Sequence, residues 1–161
     1  MNIQNLQKMI KERYISKQKH PTEELYIYNY TPKAQFERVW NEETMMCRGL
    51  ILDANYNIIA RPFKKFFNFE EYKETLPDGK FEVWEKYDGS LGIVYWVGET
   101  PYIATRGSFT SDQAKKGTEI LHKLQAYWFW LRKDCTYLFE ILYPANRIVV
   151  DYGKDERLVH L

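Results

Sequence analysis

Apolar and polar residues alternate along much of this chain, which predicts a protein built mainly of antiparallel strands. Glycine, proline and asparagine turns separate the alternating segments, so that neighbouring strands can form hairpins. One such hairpin joins residues 45–53 to residues 58–61 through an asparagine-rich turn. The full set of predicted strands comprises residues 25–30, 45–53, 58–61, 81–85, 91–97, 102–105, 137–142, 147–152 and 157–161.

Helical spacing of the apolar residues occurs in fewer places. It predicts an N-terminal helix over residues 2–13, a short helix over residues 34–40 and one long helix over residues 112–132, which Thr110 or Ser111 can cap. Residues 16–24 are polar and predict a loop. The length suits one domain spanning residues 1–161. The predicted fold class is therefore α+β, mostly antiparallel sheet with one long helix.

Composition narrows the classes of function. The net charge of +1 gives no strong overall field to attract nucleic acid, so any RNA contact must come from local basic clusters. The 2 cysteines have no metal-binding spacing, which favours a reducing, intracellular setting. No apolar run is long enough to span a membrane. Aromatic residues make up 17% of the chain, and most are expected in the core, with one or two against a nucleobase.

Candidate chemistry concentrates at Lys86-Tyr87-Asp88-Gly89-Ser90, between the predicted strands 81–85 and 91–97. Desolvation or a nearby cation lowers the pKa of a lysine and makes its amine a nucleophile, and a position between two apolar strands suits that role. Gly89 would let the backbone approach a phosphate or sugar closely. Asp88 would reach a ribose hydroxyl or steady the loop. The alternative is an exposed turn, since Lys-x-Asp-Gly arises by chance in roughly one chain in thirty of this length.

Other charged residues lie where a buried strand or an aromatic cluster makes them unusual. Arg48 in an apolar strand either pairs with a core carboxylate or faces a phosphate. Glu140 in another apolar strand either pairs with Arg48 or Arg147, or contacts a ribose or divalent metal. Lys65 either belongs to a solvated rim or meets a phosphate. Arg106 is predicted at the same end of the sheet as Lys86, where it would bind phosphate.

Five segments, taken in order, resemble one protein family. They are Cys47-Arg48-Gly49-Leu50-Ile51, the run from Arg61 to Asn68, the run from Lys86 to Ser90, Thr105-Arg106-Gly107-Ser108, and Phe139-Glu140 followed by the run from Pro144 to Val149. Together they are similar to the motifs of the bacteriophage-type RNA ligase 1 family of covalent nucleotidyltransferases. The resemblance covers the chain from about Tyr28 to its end.

The resemblance implies an adenylyltransferase fold, a reaction and a set of roles. Lys86 would attack ATP to form lysyl-AMP, AMP would pass to an RNA 5′-phosphate, and a 3′-hydroxyl would then seal the strand, with Mg²⁺ assisting. RNA ends would be the substrate, which suits RNA repair by a phage- or virus-encoded enzyme. The nucleotide-binding residues would be Arg48, Lys65, Asp88, Gly89, Arg106 and Glu140; no metal-ligand set is implied.

The family's motifs IV and V are not found after Val150. The expectation is an incomplete nucleotidyltransferase domain with poor ligase activity by itself. It is either a truncated or fragmentary ligase, or a chain whose missing groups come from self-association or a partner chain. One alternative is a non-catalytic remnant that binds nucleotide or RNA ends. Another is a capping-type enzyme or DNA ligase, and a third is a structural domain with a chance motif.

Overall fold

A computed structural model of the chain describes residues 1–71 and 78–161. It has an α+β fold with two four-stranded antiparallel sheets, as the alternating pattern predicts. The first sheet has the order β1-β2-β3-β4, with β1 Ile15–Lys19, β2 Leu25–Tyr30, β3 Arg48–Asp53 and β4 Ile58–Ala60. The second has the order β6-β5-β7-β8, with β5 Ser90–Val97, β6 Thr100–Ala104, β7 Leu138–Leu142 and β8 Arg157–His160.

The helices are short. They are α1 Ile3–Lys11, α2 Pro32–Phe36, α3 Glu42–Met46 and α4 Asp112–Lys123, with 3₁₀ turns at Phe69–Glu71, Gln125–Trp130 and Pro144–Asn146. Ser111 caps α4 by accepting a hydrogen bond from the Ala114 amide. The helix predicted to reach residue 132 ends at Lys123, because the Leu121 carbonyl accepts bonds from the Trp128 indole and the Leu124 amide. That carbonyl would otherwise accept the next α-helical bond.

Three other predictions of secondary structure are wrong. The loop predicted over residues 16–24 contains four of the five residues of β1. These four residues are polar because they are exposed, so the sequence shows no apolar alternation there. Residues 81–85 alternate but form no strand: Phe81 and Val83 are each 85% exposed, and no described strand pairs with them. Residues 147–152 form no strand either, since the Asp88 carboxylate accepts bonds from the amides of Val149 and Val150. The turn predicted around residues 76–79 lies partly outside the described residues.

The core consists of three apolar clusters, one between the two sheets and one under each of the helices α1 and α4. Ile27 and Ile51 of the first sheet pack with Ile93 and Tyr95 of the second. On the outer face of the first sheet, α1 buries Leu6 and Met9 against Tyr28, Leu50 and Leu52. On the outer face of the second, α4 buries Ile120 and Leu121 against Val94, Ile103 and Ile141. Burying these side chains stabilises the fold by about 1.5–3 kcal/mol for each large aliphatic residue.

Candidate functional site

An open cleft of about 1320 Å³ lies where the ends of the two sheets meet. This exceeds the roughly 300–1,000 Å³ of typical small-molecule pockets, so it has room for a nucleotide and part of a second ligand. The cleft brings together five of the seven predicted site residues: Arg48, Lys86, Gly89, Arg106 and Glu140. Lys65 and Asp88 are not among its lining residues. The remaining lining residues include Asn29, Phe63, Phe66, Trp84, Thr105, Gln113 and His160.

Gly49 allows Arg48 and Arg106 to lie on the same side of the cleft. Its φ of +94° is strained for any other residue, and a Cβ there would lie 2.4 Å from the Ile93 Cδ1 and 3.2 Å from the Arg106 Cα. The first sheet therefore approaches the Arg106 segment only because residue 49 has no side chain. The register of β2 and β3 also shifts beside Asn29, which lies opposite Arg48.

Three basic side chains, Arg48, Lys65 and Arg106, form what we call the cation trio. Burial, followed by the charge of Arg106, lowers the pKa of Arg48, while Tyr30 and Glu140 oppose the change. Burial also lowers the pKa of Lys65, with the charges of Arg48 and Arg106 acting in the same direction against Glu71. Within residues 1–71 and 78–161, no carboxylate oxygen lies within 4.0 Å of a trio nitrogen. Like charges held together without such a partner favour an anionic ligand.

Lys65 belongs to this electrostatic group but does not line the cleft. Its ammonium donates to the Phe66 carbonyl and lies 4.2 Å from the centre of the Phe67 ring. Its backbone amide donates to the Met45 carbonyl at 2.8 Å, which ties the basic-aromatic segment to the end of α3. Arg48 lies over Phe66, with Cζ 5.0 Å from the ring centre.

Lys86 is exposed at the edge of the cleft. The expectation that two apolar strands would desolvate it is wrong, because only β5 forms and the residues before Lys86 are irregular and exposed. What fixes the loop is Gly89, whose amide donates to Glu140 Oε1 at 2.9 Å. A Cβ on Gly89 would lie 2.6 Å from the Ile141 carbonyl oxygen, so this contact requires glycine. The loop therefore holds Lys86 beside the cleft by its backbone.

Glu140 lies on β7, half-buried at the cleft. Burial raises the pKa of its carboxyl, while the Gly89 amide and the cations of Lys86 and Arg48 partly offset that rise. The predicted ion pairs with Arg48 or Arg147 do not form in the described structure: Arg147 pairs with Asp151 at 2.8 Å instead. Among residues 1–71 and 78–161, the other carboxylate oxygen of Glu140 receives no hydrogen bond.

Asp88 makes contacts that steady the loop, one of the two roles that the sequence left open. Its carboxylate accepts bonds from the amides of Val149 at 2.8 Å and Val150 at 3.2 Å, and these bonds lower the pKa of Asp88. Its own amide donates to the Tyr152 hydroxyl at 2.8 Å. Asp88 thus joins the Lys86 loop to residues 149–152 rather than facing the cleft.

Sequence reasoning missed several residues at the cleft. Phe66 and Trp84 are 58% and 80% exposed there, and exposed aromatic faces are suited to stacking on a nucleobase. The basic-aromatic run 63–69 was the available signal for Phe66. Asn29 Oδ1 is buried and, among the described residues, has no hydrogen-bond partner. No pattern in the sequence distinguished Asn29 from an ordinary strand residue.

A divalent metal would depend on the ligand for part of its coordination. Across the two described ranges, no three histidine, cysteine, aspartate or glutamate side chains are grouped to hold a metal ion. Mg²⁺ often takes only one or two carboxylates together with substrate phosphates. Glu140 beside the cation trio fits such a shared site. In the same described residues, no helix has both the length and the apolar character to cross a membrane.

Comparison with known proteins places these residues in a family context. A family model described as RNA ligase matches residues 46–161, which contain all seven predicted site residues. An RNA ligase of Rhodothermus phage RM378 is 26% identical over 80% of this chain and 39% of its own length. A provisionally named bifunctional polynucleotide kinase/RNA ligase of Autographa californica nuclear polyhedrosis virus is 29% identical over 93% of this chain and 25% of its own length.

A third relative extends the similarity beyond viruses. A provisionally named RNA ligase of Thermovibrio ammonificans is 33% identical over 63% of this chain and 29% of its own length. The chain therefore spans between a quarter and about two fifths of the length of these relatives.

Proposed function

This chain belongs to the RNA ligase family that includes the bacteriophage RNA ligase 1 proteins, and we propose that it carries the nucleotide-binding and adenylylation site of an ATP-dependent RNA ligase. The observation that supports this most is the convergence of Arg48, Lys86, Arg106 and Glu140 on one cleft from four separate parts of the sequence. In this proposal the fold is the nucleotidyltransferase type, with residues 1–161 contributing one domain.

The first step of the proposed reaction is covalent. The Lys86 amine, after losing a proton, attacks the α-phosphorus of ATP, so that a P–N bond forms and the P–O bond to pyrophosphate breaks. The AMP then passes to the 5′-phosphate of an RNA end, which regenerates the amine. A 3′-hydroxyl of RNA finally attacks that activated phosphate, forming the phosphodiester and releasing AMP.

The other residues of the cleft bind and orient the nucleotide. Arg48 and Arg106 suit bidentate contact with phosphate oxygens, and the absence of carboxylate partners among the described residues leaves their donors for that purpose. In this proposal Glu140 accepts a bond from a ribose hydroxyl with its second oxygen, while Oε1 accepts the bond from the Gly89 amide. Phe66 offers a face to the base. Asp88 acts indirectly, by fixing the loop that carries Lys86.

Magnesium, when bound with the nucleotide, would neutralise phosphate charge and favour departure of pyrophosphate. Glu140 is the described cleft residue best suited to share it with the phosphates. Preorganised charge of this kind commonly changes the rate by a hundredfold or more for each contact.

The test is to incubate the purified protein with 5′-phosphorylated, 3′-hydroxyl RNA, ATP and Mg²⁺. The proposal predicts ATP-dependent formation of 5′-adenylated RNA, and of joined strands or circles where sealing follows. RNA with a 5′-hydroxyl is the matched control and should give neither product. If the phosphorylated RNA stays unchanged while ATP binds, ligation by this chain is excluded. A specific activity that rises with protein concentration would support the predicted self-association.

A second function has specific support. The exposure of Lys86, which no described strand before it shields, favours a site that binds a nucleotide or a phosphorylated RNA end without chemistry. Saturable ATP binding without any covalent adduct would identify this function.

A further inference from the structure

We propose that Tyr30 and Trp40 are positioning residues that hold the cation trio ready for the polyphosphate of the nucleotide. With Phe67 they form what we call the aromatic frame. This inference rests on the proposed nucleotide site and extends it, because it says how the cations are kept in place without carboxylate partners. It also predicts that the frame affects recognition of phosphate and leaves recognition of the nucleoside unchanged.

Tyr30 makes the most direct contact with the trio. Its side chain is buried, with 6% exposed, and its hydroxyl accepts a bond from Arg106 Nη1 at 3.2 Å. The same guanidinium lies over the ring, with Cζ 5.2 Å from its centre. Tyr30 also raises the pKa of Arg48, against the lowering caused by burial and Arg106. The Tyr30 phenol therefore contacts the Arg106 guanidinium through both its hydroxyl and its ring, and it lies close enough to Arg48 to affect the pKa of that residue.

The backbone fixes Tyr30 next to the strand that carries Arg48. The Tyr30 amide donates to the Cys47 carbonyl at 2.6 Å, and its carbonyl accepts from Asn29 Nδ2 at 2.8 Å. Tyr30 is the last residue of β2, directly before the Thr31 cap of α2. Its position is thus set by the sheet and a helix cap, not by the cations it contacts.

Trp40 extends the frame to the third cation. Its ring meets Tyr30 edge-on, with centroids 5.2 Å apart and planes at 84°, and meets Phe67 at 5.5 Å and 79°. The Lys65 ammonium lies 5.6 Å from the Trp40 ring and 4.2 Å from the Phe67 ring. The three rings form a continuous row of edge-to-face contacts, a favoured geometry for aromatic pairs.

The aromatic frame holds the cations without neutralising them, as carboxylates would. A π-face attracts a cation but carries no net charge. A carboxylate would instead neutralise each cation and compete with the phosphate for its donors. The frame therefore keeps the trio in place while leaving its positive charge for the ligand. Preorganised groups of this kind increase affinity because less order must be imposed on binding.

The experiment compares ATP, adenosine and inorganic tripolyphosphate by calorimetry, with metal chelated so that no adenylylation occurs. The variant is Tyr30→Phe, which keeps the ring and removes the hydroxyl. Loss of a hydrogen bond to a charged group predicts an affinity about ten-fold lower for ATP and for tripolyphosphate, with adenosine unchanged. Tyr102→Phe, on β6 in the second sheet, is the matched control and should match the wild type for all three ligands.

A second pair of variants separates positioning from folding. Trp40→Leu should weaken tripolyphosphate binding and Trp40→Phe should restore most of it, because a π-face is kept. Tripolyphosphate and ATP affinities that are unchanged in Tyr30→Phe, or that fall together with adenosine affinity, overturn the inference. Wild-type protein that binds tripolyphosphate but not ATP contradicts the proposed function and leaves the frame supported. Wild-type protein that binds neither overturns both.

Discussion

The two walls of the cleft are built differently. In one wall, Arg48 begins β3 and Arg106 lies in the turn just after β6; this wall is supported by buried Tyr30 and by a glycine contact that admits no side chain. The wall with Lys86 is an irregular stretch whose side chains are largely exposed between residues 80 and 86. That stretch is fixed mainly at its end, where Gly89 and Asp88 bond to Glu140 and to residues 149–152.

Under the proposed function, this difference separates binding from reaction. The proposed phosphate-binding groups are well supported and need little reorganisation to receive a ligand, whereas the proposed nucleophile, Lys86, is carried by a segment with few packing contacts. Variants in the first wall should therefore change the affinity for nucleotide, and variants in the second should change formation of the covalent adduct.

The largest effect is expected at Lys86. Lys86→Ala removes the nucleophile, and Lys86→Arg replaces it with a guanidinium that does not deprotonate in proteins, so neither variant should form an AMP adduct. ATP affinity should fall by less than ten-fold, since the cation trio is intact. Lys80→Ala, an exposed lysine in the same stretch, is the control. Labelling of the Lys86→Ala variant with radioactive ATP would show that another residue carries AMP.

A large effect is also expected from Gly89→Ala. The new methyl group would lie 2.6 Å from the Ile141 carbonyl, so the loop must move away from β7 and lose its bond to Glu140. Adduct formation should fall by at least ten-fold, with a stability loss of about 1–3 kcal/mol in denaturant unfolding. Gly107→Ala is the matched control, because a Cβ there meets no described atom within 4 Å although Gly107 also lines the cleft. Equal rates for the two variants would contradict the role given to Gly89.

A moderate effect is expected from Arg48→Lys, which keeps the charge and removes the bidentate donor pair. ATP affinity should fall by about ten-fold, corresponding to the loss of one charge-assisted hydrogen bond. Adenosine affinity should not change in the same titration. Arg132→Lys, whose guanidinium pairs with Asp134, is the control. A fall confined to adduct formation would instead place Arg48 with the reacting wall.

The smallest effect concerns pH and Asp88. Bonds from the Val149 and Val150 amides lower the pKa of Asp88 below its ordinary 3.8, so the folded state favours the ionised form. Its contribution to stability is therefore complete above the ordinary pKa and is lost as the pH falls through the lowered one. Asp88→Asn should make the acid side of the thermal-stability profile shallower, with Asp78→Asn as the control. A profile unchanged by Asp88→Asn would show that these bonds contribute nothing to stability.

The sequence predicted the features that depend on side-chain pattern. Alternation located β2 and β5 closely, and β3 from Arg48 onward, although residues 45–46 of that predicted strand lie in α3. The resemblance of the segments to the family's motifs identified residues, five of which line one cleft. The sequence pattern missed features that depend on a neighbouring strand or on residues distant in the sequence. β1 is polar because it lies at a sheet edge, and residues 81–85 alternate without any described strand to pair with. The role of Tyr30 depends on contacts with residues distant in sequence, which no local pattern contains.

The most direct test of the account is to locate AMP on the protein. Wild-type protein is incubated with ATP and Mg²⁺, its intact mass is measured, and the adduct is mapped by peptide mass spectrometry under conditions that preserve a phosphoramidate. The account predicts a mass increase of one adenylate, carried by Lys86. An adduct on any other lysine, or ATP binding with no adduct, would contradict the claim that this cleft is an adenylylation site built around Lys86.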